Sequence, residues 1–116
     1  MFLVFDTETT GLPKRWNAPI DDLDNWPRCV QLAWQLHDAN GKLIENQNYL
    51  IKPVDFDIPF ESEKIHGIST ELAKSHGDEL DFVLKQFEKA LNKAQFIVGH
   101  NINFDKNIIA VSYTHL

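Results

Sequence analysis

Two carboxylates, Asp6 and Glu8, lie at the end of a short apolar run that begins at the second residue. The run, residues 2–6 (FLVFD), predicts a short, fully buried β-strand that ends at a charge. Side chains alternate along a strand, so we expect Asp6 and Glu8 on one face and Thr7 on the other. Two such carboxylates repel each other unless a cation lies between them, and their oxygen atoms suit Mg²⁺ or Mn²⁺. The D-x-E pattern alone is also compatible with two exposed acids that have no role.

A third carboxylate follows a second apolar strand near the other end of the chain. Residues 95–98 predict this strand, and Asn103 is a candidate N-cap for a helix that carries Asp105 in its first turn. The helix dipole favours an acid at this position whatever its function. If the two strands are neighbours, however, Asp105 comes close to Asp6 and Glu8. Three carboxylates at one sheet edge would then indicate a metal cluster.

An antiparallel hairpin is predicted between these two segments. Residues 29–37 alternate apolar and polar side chains, and residues 43–51 form the returning strand after an Asn40-Gly41 turn. The order of all the elements favours an α/β sheet with helices packed on it and the hairpin at one side.

A long loop and three helices complete the predicted elements of this region. Residues 9–28 contain three prolines and several acids, and we expect Trp16 and Trp26 to fold this loop onto the body of the domain. Apolar spacing and capping residues predict the helices as follows: one that ends at Gly67, one over residues 70–75 capped by Ser69, and one over residues 79–93 capped by Asp78.

Composition narrows the classes of protein that this chain can represent. Its 116 residues suffice for one domain, and the net charge of −6 argues against a protein that binds nucleic acid by passive neutralisation of phosphates. No apolar run is long enough to span a membrane, and no signal peptide is evident. The single cysteine, Cys29, excludes an internal disulfide and fits a core residue in a cytoplasmic protein.

Three segments together resemble the DnaQ-like (DEDD) 3′–5′ exonuclease superfamily, which has a ribonuclease H-like fold. They are FDTETTGL (5–12), IHGI (65–68) and GHNINFD (99–105). The resemblance covers residues 1–109, and it is nearest to the proofreading exonuclease of bacterial DNA polymerase III. Such an exonuclease is either a separate epsilon-type subunit or a domain joined to an alpha-type polymerase.

The resemblance implies a nuclease that removes nucleotides from the 3′ end of single-stranded DNA. It implies two divalent cations, Mg²⁺ or Mn²⁺, with Asp6, Glu8 and Asp105 as their protein ligands. It further implies that the substrate meets six more residues: Thr9, Thr10, Gly11 and Leu12 around the terminal nucleotide, His66 near that nucleotide, and Glu61 directed at the 3′ hydroxyl.

Several of these residues also have ordinary structural explanations. His66 precedes Gly67 and could simply satisfy the end of a helix. Phe104 favours a core position over a stacking platform, and Thr9 and Thr10 could be loop hydroxyls.

The third motif of the family, H-x-x-x-x-D, does not occur in these residues. In family members its histidine is the general base and its aspartate is the remaining metal ligand. After Ile109 the sequence also loses its helical pattern, so we expect a partial exonuclease domain over 1–109, C-terminally incomplete, and a non-family tail over 110–116. The function hypotheses are a DNA exonuclease linked to replication, a catalytically inactive remnant or interaction module, and an RNA-trimming exonuclease of the same superfamily.

Overall fold

Four strands form one mixed sheet, and four helices accompany it. A computed structural model describes all residues, 1–116. The sheet order is β3-β2-β1-β4, with β1 antiparallel to β2 and parallel to β4. The predicted α/β architecture with a hairpin at one side is confirmed. The elements are β1 (Phe2–Thr9), β2 (Cys29–His37), β3 (Leu43–Leu50), α1 (Phe60–His66), α2 (Thr70–His76), α3 (Leu80–Leu91), β4 (Phe96–Val98) and α4 (Ile102–Thr114).

Local sequence signals account for the hairpin and the two short helices. The turn after β2 is closed by Asp38, whose carboxylate accepts hydrogen bonds from the N–H groups of Asn40 and Lys42, each at 2.9 Å. Ser69 caps α2 as predicted, because its hydroxyl accepts a hydrogen bond from the Leu72 N–H at 3.0 Å. Gly67 ends α1 with a φ of 74°, a left-handed conformation that glycine adopts without strain.

Helix α3 supplies the centre of the core. Its Phe87 ring lies 5.1 Å from Phe5 of β1 and 5.4 Å from Trp34 of β2, both in edge contacts. The helix begins at Leu80 after Glu79, so the predicted cap at Asp78 is wrong. The backbone of Asp78 is instead hydrogen-bonded to Leu50 and Lys52, which fixes it outside the helix.

Strands β1 and β4 are more exposed than their apolar sequences predict. Phe2 and Val4 are 37% and 39% exposed, and all three residues of β4 are exposed. The prediction of a fully buried first strand is therefore wrong, because the core covers only the face that carries Leu3 and Phe5. Strand β1 also extends three residues further than expected, to Thr9, through its pairing with β2.

Helix α4 differs from its prediction at both ends. It begins at Ile102 after Asn101, so Asn103 is not its N-cap. It also continues past Ile109 to Thr114, and Val111 and Ser112 are buried. The expected loss of helical structure is not observed, because Val111 belongs to the main core. The origin of residues 110–116 outside the family stays a prediction.

The remaining predictions for this part of the chain concern Cys29, the tryptophans of the loop and membrane segments. Cys29 is buried as expected, and burial raises the pKa of its thiol to about 12, which makes it unreactive. Trp26 anchors the loop, since it is buried and donates a hydrogen bond to the Pro19 carbonyl at 3.0 Å. Trp16 remains 55% exposed.

No helix has the length and apolar character needed to cross a bilayer.

Replacing Phe87 should destabilise the protein far more than replacing a neighbouring aromatic residue. Phe87→Ala removes a ring that is 2% exposed and leaves a cavity between sheet and helix, so we expect a loss of about 3–5 kcal/mol. Phe82→Ala on the same helix is the matched control, because Phe82 is 46% exposed, and its cost should be about 1 kcal/mol or less. Urea unfolding measures both. Equal losses would contradict the central role of Phe87.

Acidification should destabilise the protein through His115. Its Nε2 atom is buried without a hydrogen-bond partner, and burial, with the nearby charge of Arg28, lowers its pKa below the ordinary 6.5. The unfolded chain therefore binds this proton more readily. The resulting stability is present above pH 6.5 and is lost as the pH falls from there through the lowered pKa.

His115→Gln removes this proton-binding difference. The free energy of unfolding of the wild type, relative to that of the variant, should decrease as the pH falls. Urea unfolding on either side of pH 6.5 measures the difference. His76→Gln, a change at an exposed histidine on α2, is the control. A wild-type advantage that does not change with pH would show that His115 has no part in the acid sensitivity.

Candidate active site

The end of β1 places its two acids as the sequence predicts. Asp6 is exposed and Glu8 is half-buried, whereas Thr7 between them points into the protein and is 7% exposed. All three residues pair with β2, which keeps the alternation of side chains regular. The register then shifts between Glu8 and Thr9, and the chain leaves the sheet.

Asp105 reaches the same strand end from α4. The residue is 3% exposed, and its Oδ1 atom accepts hydrogen bonds from the Thr7 hydroxyl at 2.7 Å and from the Thr7 N–H at 3.3 Å. Strand β4 pairs with β1 only as far as Val4, so the Asp105 carboxylate binds the Thr7 N–H beyond the last residue pair of these two strands. Thr7 was missing from the predicted site. Its inward position between two outward acids is the signal that could have identified it.

The charge of Asp6 acts on both of the other carboxylates. Burial raises the pKa of Glu8, and the charges of Asp6 and Asp105 raise it further, while His66 opposes them. Burial also raises the pKa of Asp105, against the hydrogen bonds from Thr7, and the charge of Asp6 adds to the increase. A site in which a like charge raises the pKa of two neighbouring carboxylates is one that a cation would stabilise.

The donor chemistry of these residues fits hard divalent cations, because all three offer carboxylate oxygen. The structure nevertheless contains no group of three or more histidine, cysteine, aspartate or glutamate side chains placed to hold a metal ion. The Oδ1 atom of Asp105 is engaged by Thr7, whose side chain lies on the face of β1 opposite to Asp6 and Glu8. Asp6 and Glu8 provide an open pair of carboxylates, and the charge of Asp105 acts on Glu8.

The predicted substrate loop is a tight turn directly after Glu8. The Thr9 hydroxyl donates a hydrogen bond to the Gly11 carbonyl at 2.7 Å and accepts one from the Gly11 N–H at 3.3 Å. Gly11 has a φ of 153°, which residues with a side chain rarely adopt. Leu12 then projects outward and is 73% exposed. The turn thus presents an apolar side chain beside the acids.

Helix α1 is joined to this turn by hydrogen bonds, one of them from His66. The Ile68 N–H donates to His66 Nδ1 at 3.1 Å, so the proton of the neutral ring lies on Nε2, which donates to the Thr9 carbonyl at 3.2 Å. His66 therefore has the structural role at a helix end that its sequence allowed. One turn earlier, the Ser62 hydroxyl donates to the Thr10 carbonyl at 2.7 Å. Ser62 was missed, although its spacing of four from His66 places both on one helix face.

A cavity of about 270 Å³ lies between β1, the turn and α1. It brings together five of the predicted residues, and it excludes Thr10, which binds the Arg28 backbone instead. Glu61 lies outside it, 3.8 Å from Lys64 in an exposed ion pair. The lining residues are Thr7, Glu8, Thr9, Gly11, Leu12, Ser62, Ile65, His66 and Phe104.

Solved structures of exonuclease I share this fold. The complex of the E. coli enzyme with a dT13 oligonucleotide has a TM-score of 0.76 and 23% sequence identity, and the complex with a dA16 oligonucleotide gives the same values. A complex of exonuclease I with SSB-Ct has a TM-score of 0.75 and 22% identity. Each comparison covers 97% of this chain and 23% of the exonuclease I chain. The chain thus spans about a quarter of the length of these enzymes.

Comparison with family models gives a match over nearly the whole chain. The RNase_T model, described as an exonuclease, matches residues 3–114. No match was found among curated proteins. The predicted exonuclease superfamily is confirmed, and the relation to DNA polymerase III stays a prediction. Through residues 3–114, this chain belongs to the RNase_T exonuclease family.

Proposed function

We propose that this protein is a metal-dependent 3′–5′ exonuclease that removes nucleotides from single-stranded DNA. The observation that carries the proposal is the meeting of three carboxylates with a cavity at the end of β1, where burial and like charge raise the pKa of Glu8 and of Asp105. Glu8 belongs to both, since it lines the cavity and interacts with Asp6 and Asp105. A terminal nucleotide in the cavity would have its phosphate beside these acids.

Asp6, Glu8 and Asp105 would hold two divalent cations, Mg²⁺ or Mn²⁺. When bound, such ions supply a hydroxide nucleophile at neutral pH and stabilise the charge of the leaving oxygen. Two other residues of the protein orient these acids and the turn that follows them. Thr7 fixes Asp105 against β1, and His66 fixes the turn after Glu8. The exposed Leu12 side chain offers an apolar surface to the terminal base.

DNA is the preferred substrate in this proposal. Exonuclease I from E. coli, which shares the fold, forms complexes with dT13 and dA16 oligonucleotides. We further propose a cytoplasmic proofreading role in replication, beside DNA polymerase III subunits or a fused polymerase domain. That refinement rests on the three sequence segments over 5–12, 65–68 and 99–105. Trimming of RNA is the alternative within the same reaction class.

A non-catalytic interaction module is the second candidate. One observation favours it: no group of three or more potential ligands is placed to hold a metal ion. A protein of this kind would bind cations weakly and leave nucleic acid intact.

Shortening of a labelled oligonucleotide tests catalysis directly. With Mn²⁺ and a 5′-labelled single-stranded DNA, we expect a ladder of products that shorten from the 3′ end. Asp6→Ala should reduce the rate by about 100-fold or more, because it removes a ligand of the cations that would stabilise charge at the reacting phosphate. Glu71→Ala, at an exposed acid on α2, is the matched control. An intact oligonucleotide with the wild type would favour the interaction module, and faster cleavage of a matched RNA would favour the alternative substrate.

Metal binding should reverse the effect of removing Glu8. In the presence of a chelator, Glu8→Gln should unfold at a higher temperature than the wild type, because burial and like charges disfavour the ionised carboxylate. With Mn²⁺ at a hundredfold excess over its Kd, binding contributes about 2.7 kcal/mol to the wild type. The variant should gain less and become the less stable protein.

Thermal unfolding with and without Mn²⁺ measures this crossover. Glu71→Gln serves as control, since it removes an exposed charge elsewhere. Equal gains by the wild type and Glu8→Gln would show that Glu8 is not a metal ligand.

A further inference from the structure

One tryptophan of the three is left open to solvent, next to the candidate active site. Trp16 is 55% exposed, whereas Trp26 and Trp34 are 4% and 2% exposed. The Trp16 ring lies 5.6 Å from the ring of Phe104 at an angle of 56°. Phe104 in turn lines the cavity that contains Glu8. The open indole therefore adjoins this cavity without being part of its lining.

The loop segment that carries Trp16 is held rigidly. Asn25, which is 5% exposed, accepts a hydrogen bond from the Arg15 N–H at 2.7 Å and donates one to the Arg15 carbonyl at 2.9 Å. The Lys14 N–H donates to the Asn25 carbonyl at 3.2 Å. Near the other end of the loop, the Trp26 indole donates a hydrogen bond to the Pro19 carbonyl. A large apolar surface on a fixed loop loses little conformational entropy when a ligand covers it.

The residues before Trp16 carry the charge that nucleic acid requires. Lys14 and Arg15 are adjacent cations in a chain whose net charge is −6. Lys14 is exposed and forms no ion pair, whereas Arg15 forms an ion pair with Asp22 at 3.7 Å and keeps 69% of its side chain exposed. Both cations are therefore open to solvent. An exposed aromatic ring beside cations is the combination that single-stranded nucleic acid uses for binding.

We propose that Trp16 forms a second nucleotide subsite, in which its indole stacks on the base preceding the 3′-terminal nucleotide. Lys14 and Arg15 contact the phosphates of this part of the strand. The subsite rests on the proposed function, because the terminal nucleotide must occupy the neighbouring cavity. It predicts that the protein distinguishes an oligonucleotide from a mononucleotide.

Binding of ligands of different length tests the subsite. Octathymidylate with a 5′ fluorescein is titrated by anisotropy in a chelator, which prevents cleavage, and thymidine 5′-monophosphate competes for the cavity. Trp16→Ala should weaken octathymidylate binding about tenfold, as expected for one lost base stack, and change mononucleotide binding less than about twofold. Trp16→Phe keeps an aromatic ring, so its affinity for octathymidylate should lie between those of the wild type and Trp16→Ala. Phe82→Ala, at an exposed aromatic residue on α3, should match the wild type.

Intrinsic fluorescence gives an independent readout. Because the other two tryptophans are buried, octathymidylate should quench the wild type much more than Trp16→Phe. Lys14→Gln should reduce the slope of log K against log salt by about 0.7, the value for one phosphate contact on a single strand.

The outcomes separate the two proposals. Trp16→Ala with wild-type affinity for octathymidylate would overturn the subsite alone. Equal losses for octathymidylate and the mononucleotide would also overturn it, because Trp16 would then only support Phe104 and the cavity. Binding that depends on Trp16 and on length, without any shortening of DNA by the wild type in Mn²⁺, would support the subsite and overturn only catalysis. No binding of octathymidylate would overturn the subsite, and the cleavage assay in Mn²⁺ decides on catalysis separately.

Discussion

The pair of hydrogen bonds from Thr7 to Asp105 fixes the arrangement on which the candidate site depends. Strand β4 stops pairing with β1 at Val4, so the far end of β1 has no strand on that side. The Asp105 carboxylate supplies the missing partner for the Thr7 N–H and hydroxyl. Because these groups are buried, loss of either partner would leave an unsatisfied polar group. The contact that satisfies the buried polar groups of Thr7 therefore also places Asp105 near Asp6 and Glu8.

Several local preferences are violated together at the end of β1. The Ser69 cap shows the opposite case, in which a side chain favours the element where it lies. At the end of β1, burial and like charges raise the pKa of Glu8, and Gly11 adopts a φ that other residues avoid. Local conflicts of this kind mark functional sites, because they are tolerated only where another requirement outweighs stability. Their concentration within a few residues sets this region apart from the acidic surface elsewhere.

The accuracy of the sequence predictions depends on the range of the interactions involved. The hairpin, the Ser69 cap and the end of α1 at Gly67 follow from residues a few positions apart, and all three were correct. The caps at Asp78 and Asn103 were wrong, because contacts with distant segments and the packing of α4 fix those helix starts. In the site, the motif residues could be named from the sequence. Thr7 and Ser62 were missed, because the partners that give them their roles lie 98 and 52 residues away.

The parallel pairing of β1 with β4 also has a consequence for how the protein folds. It joins residues 2–4 to residues 96–98, whereas the β2–β3 hairpin closes over a short turn. Long-range pairing carries a larger loop-closure entropy and contributes to slow folding. The two acids of β1 and the acid of α4 cannot meet until this pairing has formed. A nascent or partly folded chain therefore lacks the assembled carboxylates, and the chemistry proposed for this site would require the pairing of β1 with β4.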